Sequence, residues 1–77
     1  MNNQTITAAK IAKIYEGIES DREKCHEAKS TTVRVHYSAS VSAKWETLRI
    51  IFGPETQFDL EAKVRRVVRE YKEGAYE

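Results

Sequence analysis

Residues 33–42 constrain this chain more than any other stretch. Val33, Val35, Tyr37, Ala39 and Val41 alternate with Arg34, His36, Ser38, Ser40 and Ser42. Strict alternation predicts a strand with one face on a core and the other toward solvent or a partner. Residues 44–52 follow, rich in the Trp, Thr, Leu, Ile and Phe that suit a strand. No Asn-Gly or Gly-X pair joins the two segments, so a bulge or wider loop is expected around 38–43 in place of a tight hairpin turn.

Helical patterns flank these segments. Across residues 7–29, Ile11, Ile14, Ile18, Cys25 and Ala28 recur at three- and four-residue spacing, with Ala8 and Tyr15 beside them. Thr5 or Thr7 is the expected N-cap. Gly17 lies inside the pattern, at a cost of about 1 kcal/mol relative to alanine. The stripe weakens past Ile18, because Asp21 and Arg22 stand where apolar residues are due. The far half of this helix is therefore expected to be less deeply buried, or to project.

Gly53-Pro54 breaks the second strand segment, and Thr56-Gln57-Phe58-Asp59 resembles a capping box with Asp in place of Glu. A helix to about residue 73 then carries Leu60, Val64, Val67, Val68 and Tyr71 on one stripe, and Gly74 stops it. The order helix, strand, strand, helix predicts an α+β fold with both helices on one face of a small antiparallel sheet. Two strands alone are marginal, so a third is expected from residues 2–6 or from a second copy in a homodimer.

A chain of 77 residues predicts a single domain with one core and a thin stability margin. Cys25 is the only cysteine, so no intrachain disulfide is available. With His26 and His36 it makes too few ligands for a closed zinc site without carboxylates. Cys25 and His26 are helix neighbours about 100° apart, so they do not converge as nucleophile and base. The glycines are isolated, and no carboxylate pair sits in an apolar setting. No enzyme activity, cofactor or metal is expected.

The formal charge of +1 points to neither a nucleic-acid nor a membrane partner. The apolar runs are too short to span a bilayer. Met1-Asn2-Asn3-Gln4 lacks the basic and apolar regions of a signal peptide. A lone thiol without an export signal predicts a cytoplasmic setting.

Three surfaces qualify for binding. On the predicted sheet, Trp45, Arg49 and Ile51 face outward beside Arg34 and His36, and Trp and Arg are frequent hot-spot residues. A bulge that turns Trp45 into the core is the structural alternative. On the first helix Glu16, Glu19, Glu23 and Glu27 form an acidic stripe, either a solvated face or a docking surface for a basic protein, including one that itself binds nucleic acid. On the last helix Arg65, Arg66, Arg69 and Lys72, flanked by Lys63, offer phosphate contacts. Glu61, Glu70 and Glu73 stand four residues from Arg65, Arg66 and Arg69, the spacing of a self-neutralised face.

In its helix–strands–helix order the chain resembles the double-stranded-RNA-binding fold, which implies RNA contact at the start of the last helix; that start reads Gly53-Pro54-Glu55-Thr56 here, without the family's lysine pair. In size and general character it is similar to small phage-encoded inhibitors of bacterial defence such as anti-CRISPR proteins, although no residue motif carries that likeness. The expected function is a non-enzymatic protein-binding module, an inhibitor or adaptor that blocks a macromolecular surface. The alternative is a nucleic-acid binder using the basic face of the last helix.

Overall fold

The computed structural model describes residues 3–76. They form three helices: α1 Asn3–Glu27, α2 Thr31–Phe52 and α3 Gln57–Lys72. No strand occurs among the described residues, which overturns the α+β, α-β-β-α reading. The two segments read as strands are one continuous helix. The third strand fails as well, since residues 3–6 lie in α1; Met1 and Asn2, which belong to that strand and to the leader argument, lie outside the described residues.

The reason is visible in α2. Val41, Trp45, Leu48 and Phe52 recur at three- and four-residue spacing and turn toward the core, with Trp45 and Leu48 buried, and Tyr37, one turn before Val41, is half-buried. The alternating valines do not mark a buried face, for Val33 is 42% exposed and Val35 62%. Between Gly17 and Gly53 the sequence has no glycine or proline to interrupt a helix. The helix stops at Gly53, whose φ of +90° is a conformation that favours glycine and whose N–H reaches the Arg49 carbonyl at 2.8 Å.

α1 starts earlier than its threonines suggest. Thr5 lies inside the helix and is buried, and its hydroxyl donates to the Tyr76 carbonyl. Residues 28–30 connect α1 to α2, too few for anything but an antiparallel pair. Their register shows in Asp21 against Lys44 and in Cys25 against the Arg34 carbonyl. α3 opens as the capping box predicts, with the Thr56 side chain accepting from the Asp59 N–H at 3.2 Å. It runs antiparallel to α1, because Glu61 meets Arg22, Arg65 meets Tyr15, and Tyr76 meets Thr5 beyond the helix end.

Ile11, Ala12, Ile18, Trp45, Leu48, Leu60, Val64 and Val68 make the core, with Ile14, Tyr15, Val41, Phe52, Val67 and Tyr71 packed around it. All three helices contribute, but only over part of their length. α1 has 25 residues and α2 has 22, so they run about 37 and 33 Å. α3, with 16 residues, spans only about 24 Å. Its first turn sits near Arg22 and Arg49, and it extends from there toward the start of α1. The α1–α2 hairpin therefore continues past α3 as two helices alone. This is the weakening of the stripe past Ile18: beyond Asp21, no residue of α1 is buried.

Asp21 is itself buried, against its polar character. Its carboxylate accepts from Lys44 Nζ and Ser40 Oγ, both at 2.6 Å, and the ammonium also donates to Ser40 Oγ at 2.6 Å. Gly17 makes room for this arrangement, for a Cβ there would lie 2.8 Å from Lys44 Cε. The Lys44 and Ser40 hydrogen bonds hold the Asp21 carboxyl below its ordinary pKa, outweighing the effect of burial. α1 and α2 are thus pinned at the boundary between the three-helix core and the projecting hairpin.

Candidate functional site

Trp45 belongs to the core. It is 5% exposed, its ring meets Tyr15 edge to face at 6.2 Å, and the Arg22 guanidinium lies 5.7 Å from its centre. Its indole nitrogen is buried and finds no acceptor among the described residues. The outward Trp45–Arg49 sheet face therefore does not exist. The remaining members of that set scatter around α2. Arg49 donates to Glu46 and to Gln57, joining the end of α2 to the start of α3. Ile51 is 42% exposed beside an apolar hollow of about 420 Å³, also lined by Ile11, Phe52 and Val67, at the opposite end of the molecule from the hairpin tip. His36 is exposed and stacks edge-on with Tyr37, while Arg34 donates to the Ala28 carbonyl near the tip.

The acidic stripe survives. Glu16, Glu19, Glu23 and Glu27 are all exposed, and none makes an ion pair among the described residues. The basic stripe fares differently. Arg65 pairs with Glu61 at 3.4 Å and reaches the Tyr15 hydroxyl at 3.4 Å. Arg66 pairs with Glu70 at 2.9 Å, an interaction that, with a bond from the Tyr76 hydroxyl, holds the Glu70 carboxyl below its ordinary pKa. Lys63 pairs with Glu55. Arg69 and Lys72 make no ion pair among the described residues and border a shallow groove with Tyr15 and Val68. Two of the four cations are thus spoken for inside the molecule; of the three pairs that the i, i+4 spacing anticipates, Arg65–Glu61 and Arg66–Glu70 form and Arg69–Glu73 does not.

The sequence reading missed a surface that exists only because α2 is a helix. Where α3 stops, the groove between α1 and α2 continues uncovered. One hollow of about 300 Å³ is lined by Arg22, Cys25, His26, Ser38 and Val41. A second, of about 500 Å³, adjoins it and is lined by Cys25, Arg34, Val35, Ser38, Ala39 and Ser42. Cys25 and Ser38 line both, so the two make one trough. Phe58, 82% exposed in the first turn of α3, stands at the end of α3 that faces the hairpin tip.

On the α2 side the lining is small and uncharged at Val35, Ser38, Ala39, Val41 and Ser42, with Arg34 as its one charged member. In a chain in which 32% of residues are charged, residues 35–43 contain no Lys, Arg, Asp or Glu. That nine-residue gap was legible in the sequence, but a period of two assigned its members to opposite faces of a strand. Cys25, half-buried here, points its thiol at the Arg34 carbonyl at 3.5 Å. No group of His, Cys, Asp or Glu among the described residues is arranged to hold a metal ion. No helix among them is long and apolar enough to cross a membrane.

Comparison with known proteins finds no match among family models, curated proteins or solved structures.

Proposed function

We propose that the chain is a non-enzymatic protein-binding module, an inhibitor or adaptor, that takes its partner in the open trough of the α1–α2 hairpin. One observation carries the reading: α3 fills the hairpin groove over the three-helix core and leaves its continuation uncovered. A groove between two helices that accepts a third helix over about two thirds of its length has the shape to accept another over the remainder. Ser38, Ala39 and Ser42 let a backbone approach closely, and Val35 supplies exposed apolar contact. The free thiol of Cys25 suits a reducing, cytoplasmic setting.

Nucleic-acid binding is the weaker reading. With Arg65 and Arg66 engaged by Glu61 and Glu70, Arg69 and Lys72 remain, and each phosphate contact adds only about 0.9 to the salt slope on duplex DNA.

The test is differential capture. A Ser38→Arg/Ser42→Arg variant fills the trough with long side chains at exposed positions and leaves the core untouched. An Arg66→Gln/Arg69→Gln/Lys72→Gln variant alters the basic face instead. The reading expects the first variant to lose the partner that wild type captures and the second to keep it. Equal capture by wild type and the trough variant contradicts it.

A further inference from the structure

The charged and titratable groups that line the trough are Arg22, His26 and Arg34, and no carboxylate among the described residues joins them. The same sign extends over the projecting hairpin. Residues 22–43 carry Arg22, Lys24, Lys29 and Arg34 against Glu23 and Glu27, which leaves nine basic and ten acidic residues for the rest of the chain. Arg34 is both fixed and unsatisfied. Its Nε donates to the Ala28 carbonyl at 2.9 Å, just past the end of α1. Its two terminal nitrogens make no hydrogen bond or ion pair among the described residues. A guanidinium held by its Nε presents a planar fork of donors, the geometry that matches a carboxylate. α3 shows how a helix meets this groove. Its Glu61 carboxylate lies 3.7 Å from the Arg22 guanidinium, and its Gln57 Oε1 accepts from Arg49 at 2.6 Å. The helix that fills the covered part thus brings acceptors to arginines of both walls.

Resting on the protein-binding reading, we infer that the occupant is an amphipathic helix of a partner protein whose narrow apolar stripe is flanked by Asp or Glu. The stripe lies over Val35, Ser38, Ala39 and Ser42, and a carboxylate meets the Arg34 fork at the tip end of the trough. Arg22 stands at the other end, and the exposed His26 offers a further donor on the α1 wall. From Arg22 to Ala28 is a run of about 9 Å along α1, so the contact takes about two turns of the incoming helix. A contact of that length binds weakly by itself, and the charges supply direction and encounter rate as much as affinity. A phosphate would also suit the Arg34 fork. The uncharged stretch from residue 35 to 43 gives a phosphate backbone nothing to follow, whereas an apolar stripe packs on it.

The experiment uses the full chain and three synthetic helical peptides of about 18 residues, five turns each. They share one leucine–alanine stripe and carry glutamate, glutamine or arginine beside it. Binding is followed by fluorescence anisotropy at low and high salt. The glutamate peptide should bind best and the arginine peptide worst, and high salt should narrow the difference. Arg34→Gln should weaken the glutamate peptide about fivefold and leave the glutamine peptide unchanged. Arg69→Gln/Lys72→Gln removes more charge elsewhere and should leave both unchanged. Circular dichroism confirms that these variants, altered at surface positions, keep their helices. Equal binding of the glutamate and glutamine peptides, both abolished by the uncharged block Ser38→Tyr/Ser42→Tyr, overturns the acidic-helix assignment and leaves the trough as the binding site. Equal weakening of the glutamate peptide by Arg34→Gln and by Arg69→Gln/Lys72→Gln overturns the role of the Arg34 fork. No binding of any peptide at about 1 mM overturns the helical occupant; the capture experiment then decides the protein-binding reading by itself. A single-stranded or duplex oligonucleotide that binds more tightly than the glutamate peptide, and is lost in Arg34→Gln, assigns the hairpin to nucleic acid and overturns the inference. So does a dimer in sedimentation that Ser38→Tyr/Ser42→Tyr breaks, which assigns the trough to a second copy.

Discussion

Asp21→Asn isolates the buried carboxylate that ties α1 to α2. The substitution keeps the size of the side chain and an acceptor oxygen, but it removes the charge that Lys44 and Ser40 address at 2.6 Å. Hydrogen bonds to charged groups contribute about 1.5–3 kcal/mol each. The Lys44 side chain is 33% exposed and that of Asp21 13%, so solvent screens part of the attraction and softens the loss. A net cost of about 2 kcal/mol follows. For a domain of this size that lowers the melting temperature by about 8–16 °C at neutral pH. The pH dependence carries the sharper test. A carboxyl held below its ordinary pKa contributes stability that is fully present above its unfolded value of about 3.9 and is lost as pH falls through the lower folded value. The gap between wild type and Asp21→Asn should therefore be constant above about pH 5 and close progressively below about pH 4. Melts followed by circular dichroism from acid to neutral pH measure it. A variant as stable as wild type at neutral pH, or a gap that stays open in acid, refutes the claim that the carboxylate pins the hairpin.

Two further substitutions test the fold. Trp45→Ala should cost about 3–5 kcal/mol, a large share of the stability of a small domain, whereas Trp45→Phe, which also removes the unpaired indole N–H, should cost less; denaturant titration separates them. A Trp45→Ala protein with unchanged stability would return Trp45 to the surface. Thr56→Ala removes the side-chain acceptor of the Asp59 N–H and should cost about 1 kcal/mol in the same assay, without altering helix content.

The two outer helices were readable because their buried residues fall at helical spacing and at no other. Leu60, Val64 and Val68 are buried where the stripe puts them, Thr56 caps and Gly74 follows the end with a φ of +80°. Ile11 and Ile18 do the same in α1, and Asp21 marks where the stripe fails because the third helix no longer covers the hairpin. α2 satisfied two periods at once. Val33, Val35, Tyr37, Ala39 and Val41 obey a period of two, while Tyr37, Val41, Trp45, Leu48 and Phe52 obey the helical one. β-branched and aromatic side chains tilted the choice toward strands, yet those preferences are weak beside tertiary packing. The missing turn signal around 38–43 was physical information: an uninterrupted helix needs none.

The same error decided which surface looked functional. Laid out as a strand, Trp45 joined Arg34, His36, Arg49 and Ile51 on one outward face; wound into a helix, those five spread around α2 and Trp45 turns inward. The acidic stripe on α1 depended only on a helix that was read correctly, so it stayed exposed and unpaired. The trough could not be found in sequence, because it is defined by the length of α3 relative to the hairpin. That comparison requires α2 to be a helix of 22 residues.

The most direct test of the trough is a residue-resolved map of amide chemical shifts in the full chain upon addition of its captured partner. The largest changes should cluster at Arg22, His26, Ser38, Ala39 and Ser42, with Trp45 and the α3 core residues nearly still. Changes centred on Arg66, Arg69 and Lys72, with the trough unperturbed, would contradict the account.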